Sequence, residues 1–335
     1  MRENFKKYRL LLFIIISVAI SVMVYEELRK ITGLEADNFV YKFTSLALIV
    51  VLLLILSSFE ITQRQSIAYN VAIIGLPKSG KTTMITTLFA SIMYNRVNLK
   101  KYYVSLKGNS TIERVNENLG KLEKGIPIGS TNDQTLFAFK VDVVSKRKFF
   151  PKEYKVEFGD FPGEASTELV LNENNVWIHN SEFFTWVKKA DSFIFTIDLG
   201  QFILHRGGYV AEVSKSIRSA WQLILSNNEY IKDIAPIALV FTKADLFKYY
   251  SDEQMSEKEI LDVAFSDNKL PFVENDIVKG ELERFKRDVI HDFDNLIRFF
   301  SLTSKNTKVV FISSFIEYEK YKLGFEELAN HVLPN

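Results

Sequence analysis

The stretch from Ile67 to Ile92 constrains the fold more than any other. It is an apolar, β-branched run to Ile74, a turn bracketed by glycines, and then Met84, Ile85, Leu88, Phe89 and Ile92 at helical spacing. An unalternating apolar run suits a strand buried on both faces. The spacing after it suits a helix that turns Thr86, Thr87 and Ser91 to its other side. The turn, Gly75-Leu-Pro-Lys-Ser-Gly-Lys-Thr82, fits G-x-x-x-x-G-K-[ST]. In that motif backbone N–H groups face a phosphate chain and the lysine reaches its terminal oxygens. With a strand before it and a helix after it, the match predicts a nucleoside triphosphate as ligand. Gly75, Pro77, Lys78, Ser79, Gly80, Lys81, Thr82 and Thr83 are the expected contacts.

Further along, Tyr102 to Leu106 reads as a strand, and Ile112, Val115, Leu119 and Leu122 as a short amphipathic helix. Leu136 to Val144 and Tyr154 to Phe158 alternate as paired strands across a basic turn, Lys146-Arg-Lys148. Three dense apolar runs follow: Phe193 to Ile197, Ile237 to Phe241 and Val309 to Ile312. Between them lie two helical patterns, one through Val210, Val213, Ile217, Ala220, Trp221 and Ile224, the other from Leu282 to Phe300. Apolar strands alternating with amphipathic helices predict an α/β fold whose mostly parallel sheet is covered on both faces. Ligands of such sheets bind at the carboxyl ends of the strands.

Two further motifs sit at such ends. In Asp160-Phe-Pro-Gly163 the aspartate can hold magnesium through water and the glycine N–H can meet a γ-phosphate. In Thr242-Lys-Ala-Asp245 the carboxylate can accept paired hydrogen bonds from the N1–H and 2-amino group of guanine, which adenine does not offer. Lys243 would lay its stem along the base.

With G-L-P-K-S-G-K-T, D-F-P-G, T-K-A-D and Ser313-Ser314 after the last apolar strand, residues 67–332 resemble the Ras-like, translation-factor-related (TRAFAC class) P-loop GTPases. The resemblance implies a small-GTPase-like sheet and a GTP/GDP site with Mg2+. Lys81 would bridge the β- and γ-phosphates, Thr82 would ligate magnesium directly and Asp160 through water. Gly163 would sense the γ-phosphate, Asp245 and Lys243 would read guanine, and the Ser313-Ser314 backbone would support the base. The family also needs a threonine that closes on magnesium; Thr131 is the first choice and Thr135 the second. Three residues depart from the pattern. Thr242 stands in place of asparagine, a change expected to loosen the tie between base site and phosphate loop. Pro77 removes a backbone N–H from that loop. Glu164 replaces the glutamine that orients water, and its charge would be repelled by a γ-phosphate. Slow hydrolysis is expected, on the order of 10⁻⁴ to 10⁻² per second, unless a partner supplies an arginine. The alternatives are a GTP-holding assembly module with little turnover, and an ATPase of the wider P-loop class.

The N-terminus has a different character. Leu10 to Tyr25 and Phe43 to Phe59 carry no charge, and each would reach roughly 25 Å as a helix against a hydrocarbon core of about 30 Å. Flanking Tyr8, Arg9, Tyr41 and Lys42 can extend that reach. Residues 1–60 are therefore expected to form a transmembrane hairpin with spans about 10–25 and 43–59, and residues 61–335 a separate domain. Arg2, Lys6, Lys7 and Arg9 against Glu3 orient the N-terminus, and hence the nucleotide domain, toward the cytoplasm. A cleaved signal peptide over residues 1–24 would leave the domain on the same side. An anchor followed closely by such a domain resembles the β subunit of the signal-recognition-particle receptor. Expected partners are thus the lipid bilayer, guanine nucleotide, a protein effector and an activating protein. A net charge of +1 gives no electrostatic case for nucleic acid, and the absence of cysteine excludes disulfides and thiolate metal sites.

Overall fold

The computed structural model describes residues 26–27, 30, 66–124, 126, 128, 137–146, 151–160, 182–227, 234–250, 276–315, 317–318 and 321–334. The chain divides into two compact units, Met1–Ser66 with Phe150–Glu153, and Ile67–Phe149 with Tyr154–Asn335. Both predicted spans lie outside the described residues, among which no helix is long and apolar enough to cross a membrane.

The larger unit carries a seven-stranded sheet. Its strands are β1 (Ile67–Gly75), β2 (Tyr102–Leu106), β3 (Phe137–Ser145), β4 (Glu153–Asp160), β5 (Ser192–Asp198), β6 (Ile237–Thr242) and β7 (Thr307–Phe311), in the order β2-β3-β4-β1-β5-β6-β7. β1 is central and runs parallel to both β4 and β5, and β5-β6-β7 continue in parallel. β2 pairs antiparallel with β3 at the edge. The mostly parallel α/β sheet expected from the apolar runs is therefore present.

Both faces of the sheet are packed, which explains why its central strands show no polar alternation. Val71, Ile73, Ile194, Ala238, Val240 and Val310 point into one core with α1 (Lys81–Met93) and the C-terminal helix Phe325–Val332. Ala72, Ile74, Phe193, Phe195, Ile197, Leu239 and Phe241 point into the other, under helices spanning Leu199–Asn227, Asp276–Asp292 and Asp294–Thr303. That second core is strongly aromatic: Trp221 lies 5.5 Å from Phe193 and 5.8 Å from Phe300, ring to ring. Trp186 is partly buried against the same core, and Trp177 lies outside the described residues.

One detail departs from the sequence reading. The pattern from Leu282 to Phe300 predicts one helix, but the backbone leaves helical geometry at Phe293 (φ −94°, ψ 11°). There the wholly buried ring packs 5.2 Å from Phe241 and 5.9 Å from Phe202, and Asp294 starts a new helix. Lys146 of the basic turn is exposed yet tethered, its ammonium donating to the Leu99 carbonyl at 2.6 Å and sitting 5.1 Å from the Tyr103 ring. The long interval between phosphate loop and Asp160 holds β2 and the helix Asn109–Glu123, which is joined to α1 by a buried bond from the Asn118 amide to the Thr86 hydroxyl (3.2 Å).

Candidate functional site

The carboxyl ends of β1, β4, β5, β6 and β7 bring the motif residues together. β1 ends at Gly75, where a Cβ would lie 1.9 Å from Thr196 Oγ1 on β5, so only glycine fits. In the turn that follows, Lys78 (φ 61°) and Gly80 (φ 82°) take left-handed conformations. Turns of this kind aim successive N–H groups into one anion-binding concavity. Pro77 and Lys78 are exposed and Ser79 is buried, its hydroxyl 2.8 Å from that of Thr196. Gly80 is the residue before α1, so the loop delivers its ligand to a helix N-terminus. Lys81, the first residue of α1, is buried and folds its ammonium back over the loop, donating to the carbonyls of Gly75 (2.8 Å) and Leu76 (3.0 Å).

Asp160, the last residue of β4, is 1% exposed and accepts the Thr82 hydroxyl at 3.0 Å. Burial pushes its carboxyl up to about 6, while the Thr82 bond and the Lys81 charge pull the other way. A hydroxyl and an anionic carboxylate at one point are hard oxygen donors. They fit magnesium, which takes one or two protein oxygens and completes its octahedron with water and phosphate. Among the described residues no group of three or more His, Asp or Glu side chains could hold a metal by themselves.

The other end of the site is built from β6 and β7. Asp245 is buried, and Ser313 beyond β7 donates its hydroxyl to Asp245 Oδ1 at 2.7 Å. Burial raises the Asp245 carboxyl above its usual range, against that hydrogen bond. Thr242 does tie the two ends together, since its hydroxyl reaches the phosphate loop at the Ser79 carbonyl (2.8 Å) and also lies 3.2 Å from the Ile197 carbonyl. Ser313 meets Asp245 through its side chain, and its backbone N–H goes to the Leu323 carbonyl (3.2 Å). The Ser314 hydroxyl is 2.8 Å from that of Thr87 on α1. Lys243 stands in a left-handed conformation (φ 59°) with its ammonium 2.6 Å from Asp198. Thr131, Thr135, Gly163 and Glu164 lie outside the described residues.

The profile of the Double-GTPase 2 family matches residues 70–298, a span that includes the phosphate loop, Asp160 and Asp245. The chain belongs to the Double-GTPase 2 family. No curated protein matches it. Among solved structures it is similar to the signal recognition particle receptor SRb-GTP/SRX complex from Chaetomium thermophilum, at 13% identity and TM-score 0.36, covering 76% of this chain and 94% of that one. It is also similar to Methanosarcina barkeri Roco2 RocCORdC bound to GDP (15%, TM-score 0.29, 78% and 46%). A third similar structure is the Arl6 BBS3 small GTPase from Trypanosoma brucei with a bound nucleotide analogue, GppNp (17%, TM-score 0.27, 71% and 99%). With TM-scores this low, none of the three adds to what the family match shows.

Membership of the Double-GTPase 2 family makes this a P-loop GTPase domain with guanine nucleotide as its ligand class. Among the described residues, Thr87, Thr196 and Asp198 join the site without belonging to a motif. The last two carried a signal, because in Ser192-Phe-Ile-Phe-Thr-Ile-Asp198 they are the polar residues at i and i+2 near a strand's carboxyl end. That spacing puts both on one face. Thr87 carried none, since a threonine inside a helix is ordinarily surface or packing.

Proposed function

We propose that this protein is a membrane-anchored GTPase that binds GTP with magnesium, hydrolyses it slowly and acts as a nucleotide-dependent switch. The observation that carries the nucleotide reading is the buried Asp245. It is held by Ser313 in a base site that Thr242 joins directly to the phosphate loop. A buried carboxylate lined up beyond β6 rewards a base with two adjacent donors and penalises one without them.

In hydrolysis, water attacks the γ-phosphorus, the bond to the β–γ bridging oxygen breaks, and GDP and phosphate leave. Lys81 would turn its ammonium from its own loop carbonyls to the β- and γ-oxygens and neutralise the charge that develops there. Thr82 and Asp160 would hold magnesium, which when bound neutralises phosphate charge. Loop N–H groups and α1 would fix the phosphate chain so that little entropy remains to be lost in the transition state. The absent N–H at Pro77 and the carboxylate of Glu164 both favour slow turnover, with an arginine from an activating protein as the remedy.

Anchoring and the switch rest on sequence. The two uncharged runs in residues 1–60 and the basic residues before them support a hairpin that sets the domain on the cytoplasmic side. Thr131 or Thr135 and Gly163 supply the triphosphate-sensing groups through which an effector would read the nucleotide.

Single-turnover release of γ-phosphate from the full-length chain in lipid vesicles tests the reading. A magnesium-dependent rate on the order of 10⁻⁴ to 10⁻² per second is expected. Tight GTP binding with no release above background would favour the assembly module instead.

A further inference from the structure

Asp198 ends β5 with its side chain 3% exposed, and Lys243, to which it is paired at 2.6 Å, is 32% exposed. Both ends of the lysine are therefore fixed. Its backbone is held in a left-handed turn (φ 59°, ψ 38°) whose carbonyl accepts the Leu246 N–H at 3.0 Å, and its ammonium is held by the aspartate. Asp198 is itself immobilised at three points. Oδ1 accepts the Gly200 N–H at 2.8 Å, Oδ2 takes the ammonium, and its own N–H donates to the Tyr209 hydroxyl at 2.8 Å. A Cβ at Gly200 would crowd Oδ1 at 3.1 Å and Leu246 Cδ1 at 3.2 Å, and would lie 3.7 Å from Lys243 Cδ, an ordinary contact.

We propose that Asp198 is a positioning residue for the guanine base. By anchoring the Lys243 ammonium it holds the aliphatic stem extended as a preformed apolar ledge on which the base rests. The inference builds on the guanine-nucleotide reading above. A free lysine keeps four rotatable bonds and must be ordered when the base arrives, whereas an anchored one is ordered already. The competing role for Asp198 is helix capping, since Gly200 lies in the first turn of Leu199–Asn227. The two roles separate chemically, because asparagine caps as well as aspartate but carries no charge, and with its one oxygen on the Gly200 N–H it turns an NH2 group toward the ammonium.

The experiment compares the full-length wild type with Asp198→Asn, Lys243→Met and the double variant. It reads equilibrium binding of GDP and of inosine diphosphate, which lacks the 2-amino group, together with KM and kcat for GTP. Asp198→Asn is expected to weaken both diphosphates by the same several-fold to about tenfold factor, the size expected when one long side chain must be ordered on binding. It should raise KM and leave kcat unchanged. Lys243→Met, which keeps most of the stem but loses the ammonium, should do the same, and the double variant should be no worse than the weaker single one. Binding by Asp198→Asn within twofold of wild type would overturn the inference. So would additive losses in the double variant, or a reduced preference for GDP over inosine diphosphate, which would assign the effect to Asp245. If Asp198→Asn does not fold, Lys243→Met alone decides, and unchanged GDP affinity there overturns it. A wild type that binds neither diphosphate would overturn the nucleotide reading as well; a wild type that binds GDP beside an indifferent Asp198→Asn overturns this inference only.

Discussion

At the base end, Asp245, Thr242 and Lys243 each bond to a different segment, namely Ser313 beyond β7, Ser79 in the phosphate loop and Asp198 at the end of β5. At the phosphate end, Lys81 bonds to carbonyls of its own loop and Thr82 to Asp160, the other oxygen donor expected to face magnesium. The base end is thus braced through the Ser313 and Asp198 side chains and the Ser79 carbonyl, atoms other than those through which Ser313 and Ser79 are expected to meet the nucleotide, so binding can leave those bonds in place. The phosphate end is satisfied by the very groups the ligand will use, so binding there exchanges one set of partners for another. Recognition of the base should depend on preorganisation, and engagement of phosphate and metal on charge and pH.

The largest separation of the two ends should come from Lys81→Ala. Loss of its charge is expected to lower single-turnover phosphate release by on the order of 10² to 10³ while leaving the preference for guanine over adenine intact. A lost preference would mean that the two ends are not independent.

Next is the pH response of the phosphate end. In the folded chain the Asp160 carboxyl keeps its proton up to about pH 6, against 3.8 for an unperturbed aspartate. Stability from this raised value is present below about 3.8 and is lost as pH rises through about 6, on the order of 3 kcal/mol in all. Urea unfolding of nucleotide-free protein in chelator should show that decline, and Asp160→Asn should flatten it. A wild type that is flat from pH 4 to 7 would show that Asp160 is solvated. At the base end, Asp245→Asn is expected to cost roughly 1.5 to 3 kcal/mol of GDP affinity, the worth of a charged hydrogen bond. It should also move preference toward xanthine nucleotides, whose N1 and C2 groups match an amide. Competition binding reads both, and an unchanged base preference would remove Asp245 from the base site.

How much of this was readable from sequence differs between the same two ends. The phosphate loop is one contiguous motif between strand and helix, so residues Gly75 to Thr82 could be assigned with their local structure. The proposed base site draws on the ends of three strands, and T-K-A-D names only the β6 contribution. For Asp198 and Thr196 the one signal is their two-residue spacing, because a buried strand gives a polar residue no other periodic context. The part played by Thr242 is not legible in the sequence for a related reason. Its side chain is shorter than the asparagine it replaces, and only the approach of β6 to the loop, 2.8 Å from hydroxyl to Ser79 carbonyl, shows that a threonine suffices. The break at Phe293 was unreadable because the apolar spacing continues through it.

The smallest effect, and the finest test of the bracing, is Thr242→Val. It keeps the shape and removes the hydroxyl, leaving the Ser79 carbonyl without that donor. The expected loss is about 1 kcal/mol of stability by denaturant titration, with GDP release accelerated several-fold. A purely local loss, with release unchanged, would show that the tie between the ends does not serve binding.

The central claim is that the chain reads guanine with a braced carboxylate. Competition of GDP and ADP for the full-length wild type, with magnesium present, tests it most directly. GDP is expected to bind at least about a hundredfold more tightly, since a site built to hydrogen-bond a ligand group can reject an analogue lacking it by up to about 10⁴ to 10⁵. Equal binding of GDP and ADP would contradict it.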